Sequence, residues 1–149
     1  MGYGLPAALG VQIAHPDALV IDIAGDASIQ MCIQEMSAAI QYEAPIKIFI
    51  LNHQYMGMVR QWQTLYYGKR YSHTVLNDQV DFVKVAEGMG AKAYRVTNKE
   101  DFGPILKEAI ELNIPVVIEC QINSDDKVFP MVSPGAAIED AFDSEDLKI

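Results

Sequence analysis

The chain has almost no cysteine, with only Cys32 and Cys120 among 149 residues. The two lie far apart in apolar surroundings and form no Cys-x-x-Cys or Cys/His metal spacing. They read as buried thiols rather than as a disulfide or a metal clamp. Positive charge is also scarce. Eleven Lys and Arg face twenty Asp and Glu, for a formal net charge of −9. That excludes the clustered basic surface that nucleic-acid phosphates require. No apolar run reaches the ~20 residues that span a bilayer, and no signal-peptide pattern is read before the first helix. No membrane or nucleic-acid partner is therefore expected, and the cytoplasm is the expected compartment. Neither GxGxxG nor a GxxxxGKS/T loop occurs, so a dinucleotide or P-loop site has no direct support. His73 beside Ser72 has no acidic partner in sequence and makes no catalytic triad.

Half of the residues are hydrophobic and 21% are charged, as in a folded domain of ordinary size. Apolar strands alternate with helix-length segments. Residues 5–14 read as a helix that tolerates Pro6 in its first turn and stops at His15-Pro16. A strand is expected over 18–24, a helix over 28–42 capped by Ser28, and a strand over 46–51. Further on come a helix over 57–67, a polar loop over 68–78, a short helix over 81–89 ending at Gly90, and a strand over 91–96. An amphipathic helix over 99–112 follows, with Phe102, Ile105, Leu106, Ala109 and Ile110 inward, and then a last strand over 116–122. The class is α/β, a doubly wound and mainly parallel sheet with helices on both faces. Residues 1–122 form the domain, and 123–149 are a tail without periodicity. The abrupt entry into the first helix is what a fragment of a longer chain would show.

The chemistry concentrates at two strand ends. One strand runs into Gly25-Asp26-Ala27-Ser28, and the next ends in Asn52-His53-Gln54. If the strands are parallel, both turns emerge at one sheet edge, where open α/β sheets bind ligands. A helix start there suits a phosphate, and an Asp beside it suits a hard divalent cation. Gly25 and Ala27 allow a ligand close to the backbone. The same Asp26 could equally be a turn or cap residue. His53 could be a base, a metal ligand or a plain turn histidine. Trp62, the single tryptophan, could be core or pocket wall, and Arg60 and Arg70 could bind an anion or face solvent.

The Gly25-Asp26 to Asn52-His53 segment resembles the thiamine-diphosphate motif that opens Gly-Asp-Gly and closes Asn-Asn. The blocks Met1-Gly2-Tyr3-Gly4-Leu5-Pro6-Ala7-Ala8, Ile33-Gln34-Glu35, Met56-Gly57-Met58-Val59-Arg60-Gln61-Trp62-Gln63, Arg70-Tyr71-Ser72-His73 and Val128-Phe129-Pro130-Met131-Val132-Ser133-Pro134-Gly135 resemble the acetolactate synthase large-subunit family. The likeness covers nearly the whole chain. It implies the thiamine-diphosphate-binding fold and the last of three domains. It also implies condensation of pyruvate with pyruvate or 2-ketobutyrate, with loss of CO₂, in branched-chain amino-acid synthesis. The glutamate that activates the cofactor would lie in an N-terminal domain, so no catalytic residue is assigned in this chain. FAD would belong to a middle domain. A homodimer or higher oligomer, and a regulatory small subunit, are implied for the full enzyme.

By the same resemblance, Asp26, His53 and the Tyr55 carbonyl would hold Mg²⁺. The cofactor would meet Met1, Gly25, Asp26, Ala27, Ser28, His53, Tyr55, Gly57, Met58 and Val59. Trp62 would shape the site of the second 2-keto acid. Two positions depart from the pattern. Ala27 stands for Gly, and His53 stands for the metal-binding Asn, whose amide oxygen suits Mg²⁺ better than an imidazole nitrogen does. The alternatives are another thiamine-diphosphate-dependent decarboxylase or oxidase, and a non-catalytic fragment that acts only by association.

Overall fold

The computed structural model describes residues 1–76 and 80–147. Four parallel strands form one sheet in the order β1-β2-β4-β3: β1 (Ile21–Gly25), β2 (Lys47–Asn52), β3 (Lys92–Val96) and β4 (Val116–Gln121). Ile21 pairs with Lys47 and Gly25 with Leu51, so β1 and β2 run in step and finish together. The first strand begins later than the apolar run predicts, at Ile21 rather than residue 18. Val20 nevertheless accepts the first rung from the Lys47 amide at 3.0 Å.

α1 (Gly4–Ala14) is the first helix. The expected long helix over 28–42 is instead two, α2 (Asp26–Gln30) and α3 (Glu35–Gln41). Between them the amides of Met31, Cys32, Glu35, Met36 and Ser37 each reach back three residues rather than four. This tighter winding keeps i, i+3 neighbours on one side, so Ile29, Cys32, Met36 and Ala39 stay buried. The apolar spacing therefore holds while the helix is interrupted. Ser28 does not cap a helix. Its Oγ accepts the Gly2 amide at 3.1 Å and ties the start of the chain to α2.

α4 (Gly57–Tyr66), α5 (Phe82–Met89) and α6 (Lys99–Glu111) complete the helices. α5 begins at Asp81, whose side chain accepts the Lys84 amide, and ends at Gly90, which takes φ +97° in the left-handed stop expected of glycine. One sheet face packs Leu5, Ile29, Met36, Ile48, Ile50, Phe82, Ala93 and Val117 into a core with α1, α3 and α5. The opposite face is covered by α6 through Phe49, Val116, Ile118, Phe102, Ile105 and Ala109. Helices thus lie on both faces of a parallel sheet, as parallel sheets require. Ile110 is not inward as expected but exposed; it falls one position past the buried Ala109 and so rotates off the stripe. Cys32 is buried and Cys120 half-buried, and both are free thiols. Residues 67–76 form no helix or strand beyond a single bridge from Val75 to Tyr55. The last two residues of the expected polar loop, Asn77 and Asp78, lie outside the described residues.

Residues past β4 are not featureless. Two short 3₁₀ turns, Ile138–Asp140 and Ser144–Asp146, and a bridge between Met131 and Phe142 organise them.

Candidate functional site

Because β1 and β2 stop in register, their exits open side by side at the carboxyl edge of the sheet. Asp26 leaves β1 as the first residue of α2, and it is only 2% exposed. Its Oδ1 accepts the Ala27 amide at 2.7 Å. Its Oδ2 accepts the Gln54 amide at 2.7 Å and the His53 amide at 3.2 Å, and also lies 3.2 Å from His53 Nδ1. A carboxylate has about four lone-pair positions, two on each oxygen; Oδ2 takes three of the four contacts and Oδ1 one. Asp26 therefore clamps the turn after β2 to the start of α2. It is the turn residue and the candidate ligand at once.

The turn itself is unusual. Gln54 takes φ +64°, a left-handed conformation costly for a residue with a side chain. Three bonds hold it there: its amide to Asp26 Oδ2, its amide to Asn52 Oδ1 at 3.2 Å, and its carbonyl accepting from the Leu76 amide at 2.8 Å. The bend directs the chain from the sheet edge into α4. Gly57 opens that helix directly against the His53 ring. A β-carbon at position 57 would collide with His53 Nε2, so only glycine leaves the ring room.

A cleft of about 440 Å³ lies over these turns. Its wall includes every residue expected to meet a cofactor: Met1, Gly25, Asp26, Ala27, Ser28, His53, Tyr55, Gly57, Met58 and Val59. The fold brings all ten together from three separate segments. Sequence reasoning missed Leu51, Met56, Gln61 and Ile122, and also Asp126, Lys127 and Val128 of the segment after β4. Asp126 and Lys127 fall just outside the motif blocks, and Val128 entered only as the first residue of one of them. Gln61 is 3% exposed and was read only as part of a motif block.

Trp62 stands outside this cleft. It lines a neighbouring hollow with Met58, Val59, Gln63, Tyr67 and Arg70, edge-on to Tyr66 at 5.6 Å between ring centres. Met58 and Val59 form the wall between the two. Arg70 donates from Nε to the Tyr67 carbonyl at 3.0 Å, at the rim of the hollow. Arg60 is neither free to bind a ligand nor simply solvated. Its guanidinium lies between the rings of Tyr55 and Tyr71, 4.3 and 4.2 Å from their centres, and its Nε and Nη2 both donate to Asp125 Oδ1. Asp125 holds the guanidinium in its charged form, above the usual arginine value. His73 is exposed, with φ +52°, and joins no catalytic group.

The cleft suits a diphosphate. Gly25 leaves open space, since a β-carbon there would meet nothing within 4 Å, and Ala27 and Ser28 present a helix start to the same space. The Ala27 amide, however, is directed to Asp26. A divalent cation fits less readily. Among the described residues no group of three or more His, Cys, Asp or Glu side chains could hold a metal. The available set is the Asp26 carboxylate, the His53 imidazole and the Tyr55 carbonyl. Asp26 can offer Oδ2 to a cation only if the His53 ring swings away.

Comparison with known proteins agrees with this geometry. The family model of the C-terminal TPP-binding domain of thiamine pyrophosphate enzymes matches residues 1–120. The acetolactate synthase large subunit of Porphyra purpurea is 48% identical over 91% of this chain, which covers 23% of that protein. The mitochondrial acetolactate synthase catalytic subunit of Saccharomyces cerevisiae is 49% identical over 94% of this chain and 20% of its own length. A thiamine diphosphate-dependent 4-hydroxybenzoylformate decarboxylase of Rhodococcus jostii RHA1 superposes with a TM-score of 0.79 at 35% identity, over 85% of this chain and 24% of that one. The chain thus spans about a fifth to a quarter of the relatives it matches. By the extent of the family match and the cleft built at the β1 and β2 ends, the chain belongs to the thiamine pyrophosphate enzymes, as their C-terminal TPP-binding domain.

Proposed function

We propose that this domain holds the diphosphate of thiamine diphosphate for an acetolactate synthase, which joins pyruvate to a second 2-keto acid with release of CO₂. The observation that carries the reading is the convergence of Asp26, Ser28, His53, Tyr55 and Gly57 on one cleft. When bound, the cofactor supplies the carbanion chemistry. This chain contributes position: Gly25 and Ser28 admit the diphosphate, Asp26 orders the two turns beneath it, and Met58 and Val59 wall the cleft. Trp62, in the adjoining hollow, favours the acetolactate synthase reading over a simple decarboxylase, because a condensing enzyme needs room for a second keto acid beside the cofactor. The activating acid, an FAD site, an oligomeric partner and a regulatory subunit would be supplied outside these residues. Alone, the chain is expected to give no turnover. The cytoplasm is the compartment we propose for it.

Mg²⁺ is the cation we assign to Asp26, His53 and Tyr55, with weaker affinity than an Asn at position 53 would give. Its octahedral oxygen preference disfavours imidazole, and the His53 ring must first release Asp26 Oδ2. The test is calorimetric titration of thiamine diphosphate into the purified chain across a Mg²⁺ series. His53→Asn should lower the Mg²⁺ concentration that supports half-maximal binding. The same Mg²⁺ requirement in both proteins would remove His53 from the metal site.

A further inference from the structure

The segment that leaves β4 is fastened to α4 at two points. Asp125 receives two hydrogen bonds from Arg60, at 3.1 and 2.8 Å. Three residues on, Val128 is held by the Gln61 side chain, which imitates a peptide group. Gln61 Nε2 donates to the Val128 carbonyl at 2.9 Å, and the Val128 amide donates back to Gln61 Oε1 at 2.9 Å. Both bonds use a buried glutamine, and a buried amide is costly to leave unpaired. Between the two fastenings, Asp126 and Lys127 are held against the rim of the cleft.

The charges around that cleft are uneven. Asp125 is neutralised by Arg60, and Asp26 is wrapped by backbone amides and the His53 ring. Among the described residues that line the cleft, Lys127 is the one lysine or arginine. Its Nζ donates to the Asp125 carbonyl at 3.0 Å, and among the described residues it makes no other hydrogen bond. An ammonium has three donors, so two remain for a ligand. Asp126, beside it, lowers the local positive potential without removing the donors.

We propose that Lys127 is an anion-binding residue of this site, placed by the Arg60 and Gln61 fastenings to contact the diphosphate. The inference rests on the cleft being the diphosphate site. It adds a full positive charge from a segment seventy residues beyond the motif, where the turns at β1 and β2 contribute mainly backbone dipoles.

The test is titration of inorganic pyrophosphate, and separately thiamine diphosphate, into the purified chain, Lys127→Met and Lys127→Arg, at low and moderate salt. Lys127→Met should weaken pyrophosphate binding roughly fivefold, the scale of one partly exposed ion pair. Lys127→Arg should keep most of the affinity. The parent's binding should fall more steeply with salt than that of Lys127→Met, since exposed charges are screened. Thermal melts of the three should coincide, because Nζ makes a single exposed bond. Equal affinity of parent and Lys127→Met overturns the assignment, as does Lys127→Arg binding as weakly as Lys127→Met. Binding of neither ligand by the parent would overturn the reading of the cleft itself, and the assignment with it.

Discussion

Asp22 and Asp26 are four residues apart on one strand and its exit, and both are buried, at 6% and 2% exposure. Their fates differ. Asp26 accepts three backbone amides and faces a histidine. Asp22 leaves its Oδ2 without a hydrogen-bond partner among the described residues, beneath α1, with the carboxylate packed so closely on Gly4 that a β-carbon there would collide with it. Burial pushes the Asp22 carboxyl above the usual aspartate range. The reason is backbone geometry. Inside a parallel strand the amides are consumed by the ladder, whereas a turn out of the sheet frees several to converge on one acceptor. A carboxylate at a strand end can be organised by the fold. The same group mid-strand is tolerated at a cost. Lys47, at the opposite end of β2, is an intermediate case. It is 2% exposed, and its Nζ donates to the carbonyls of Leu112 and Ile114, at 2.6 and 2.8 Å, where α6 ends. The Leu112 carbonyl stands at the C-cap of α6 and the Ile114 carbonyl just beyond it, and among the described residues no carboxylate pairs with the ammonium.

The largest effect should come from Asp26→Ala, which strips the acceptor from three amides at once. A loss of about 3 kcal/mol in urea denaturation is expected, together with loss of thiamine diphosphate binding by calorimetry. A variant with parental stability would end the contrast between the two aspartates.

Lys47 should come next. Burial lowers its pKa from 10.5 to about 8, so between those values the unfolded chain keeps a proton that the folded chain has released. Stability from this group therefore rises with pH across that window. Relative to Lys47→Met, which carries no titrating group, the parent should gain about 3 kcal/mol between pH 7.5 and 10.5. A flat difference would mean that the two carbonyls hold the ammonium without strain.

Asp22 should give the smallest change, with the opposite slope. Its folded value lies above the unfolded 3.8, so its neutral form is favoured in the folded chain and its contribution is lost as pH rises from about 4 through the raised folded value. Asp22→Asn, of the same size beneath Gly4, should gain in stability on the parent over that rise, measured by urea denaturation at several pH values. If the difference between the two is constant with pH, then Asp22 has a partner in solution and the comparison weakens.

Much of this was legible in the residues. Alternation of apolar strands with helical spacing placed the elements, and strand ends at Gly25-Asp26 and Asn52-His53 pointed to the sheet edge at which the cleft opens. Both are local properties, since side-chain period and turn chemistry act over a few residues. The interruption at Met31–Gln34 was hidden because three-residue winding preserves the apolar face that a helix would show. That Arg60 is committed to Asp125 was also hidden, because the partners are 65 residues apart.

The sequence by itself determined that the chain forms a parallel α/β sheet, that Asp26 and His53 leave it at one edge, and which cofactor family it resembles. Only the tertiary structure decided that His53 would lie on Asp26, that Gln54 would be held left-handed, and that the segment after β4 would bring Lys127 to the cleft. These depend on contacts between distant segments, which fall within reach of one another only once the sheet has fixed where each strand ends.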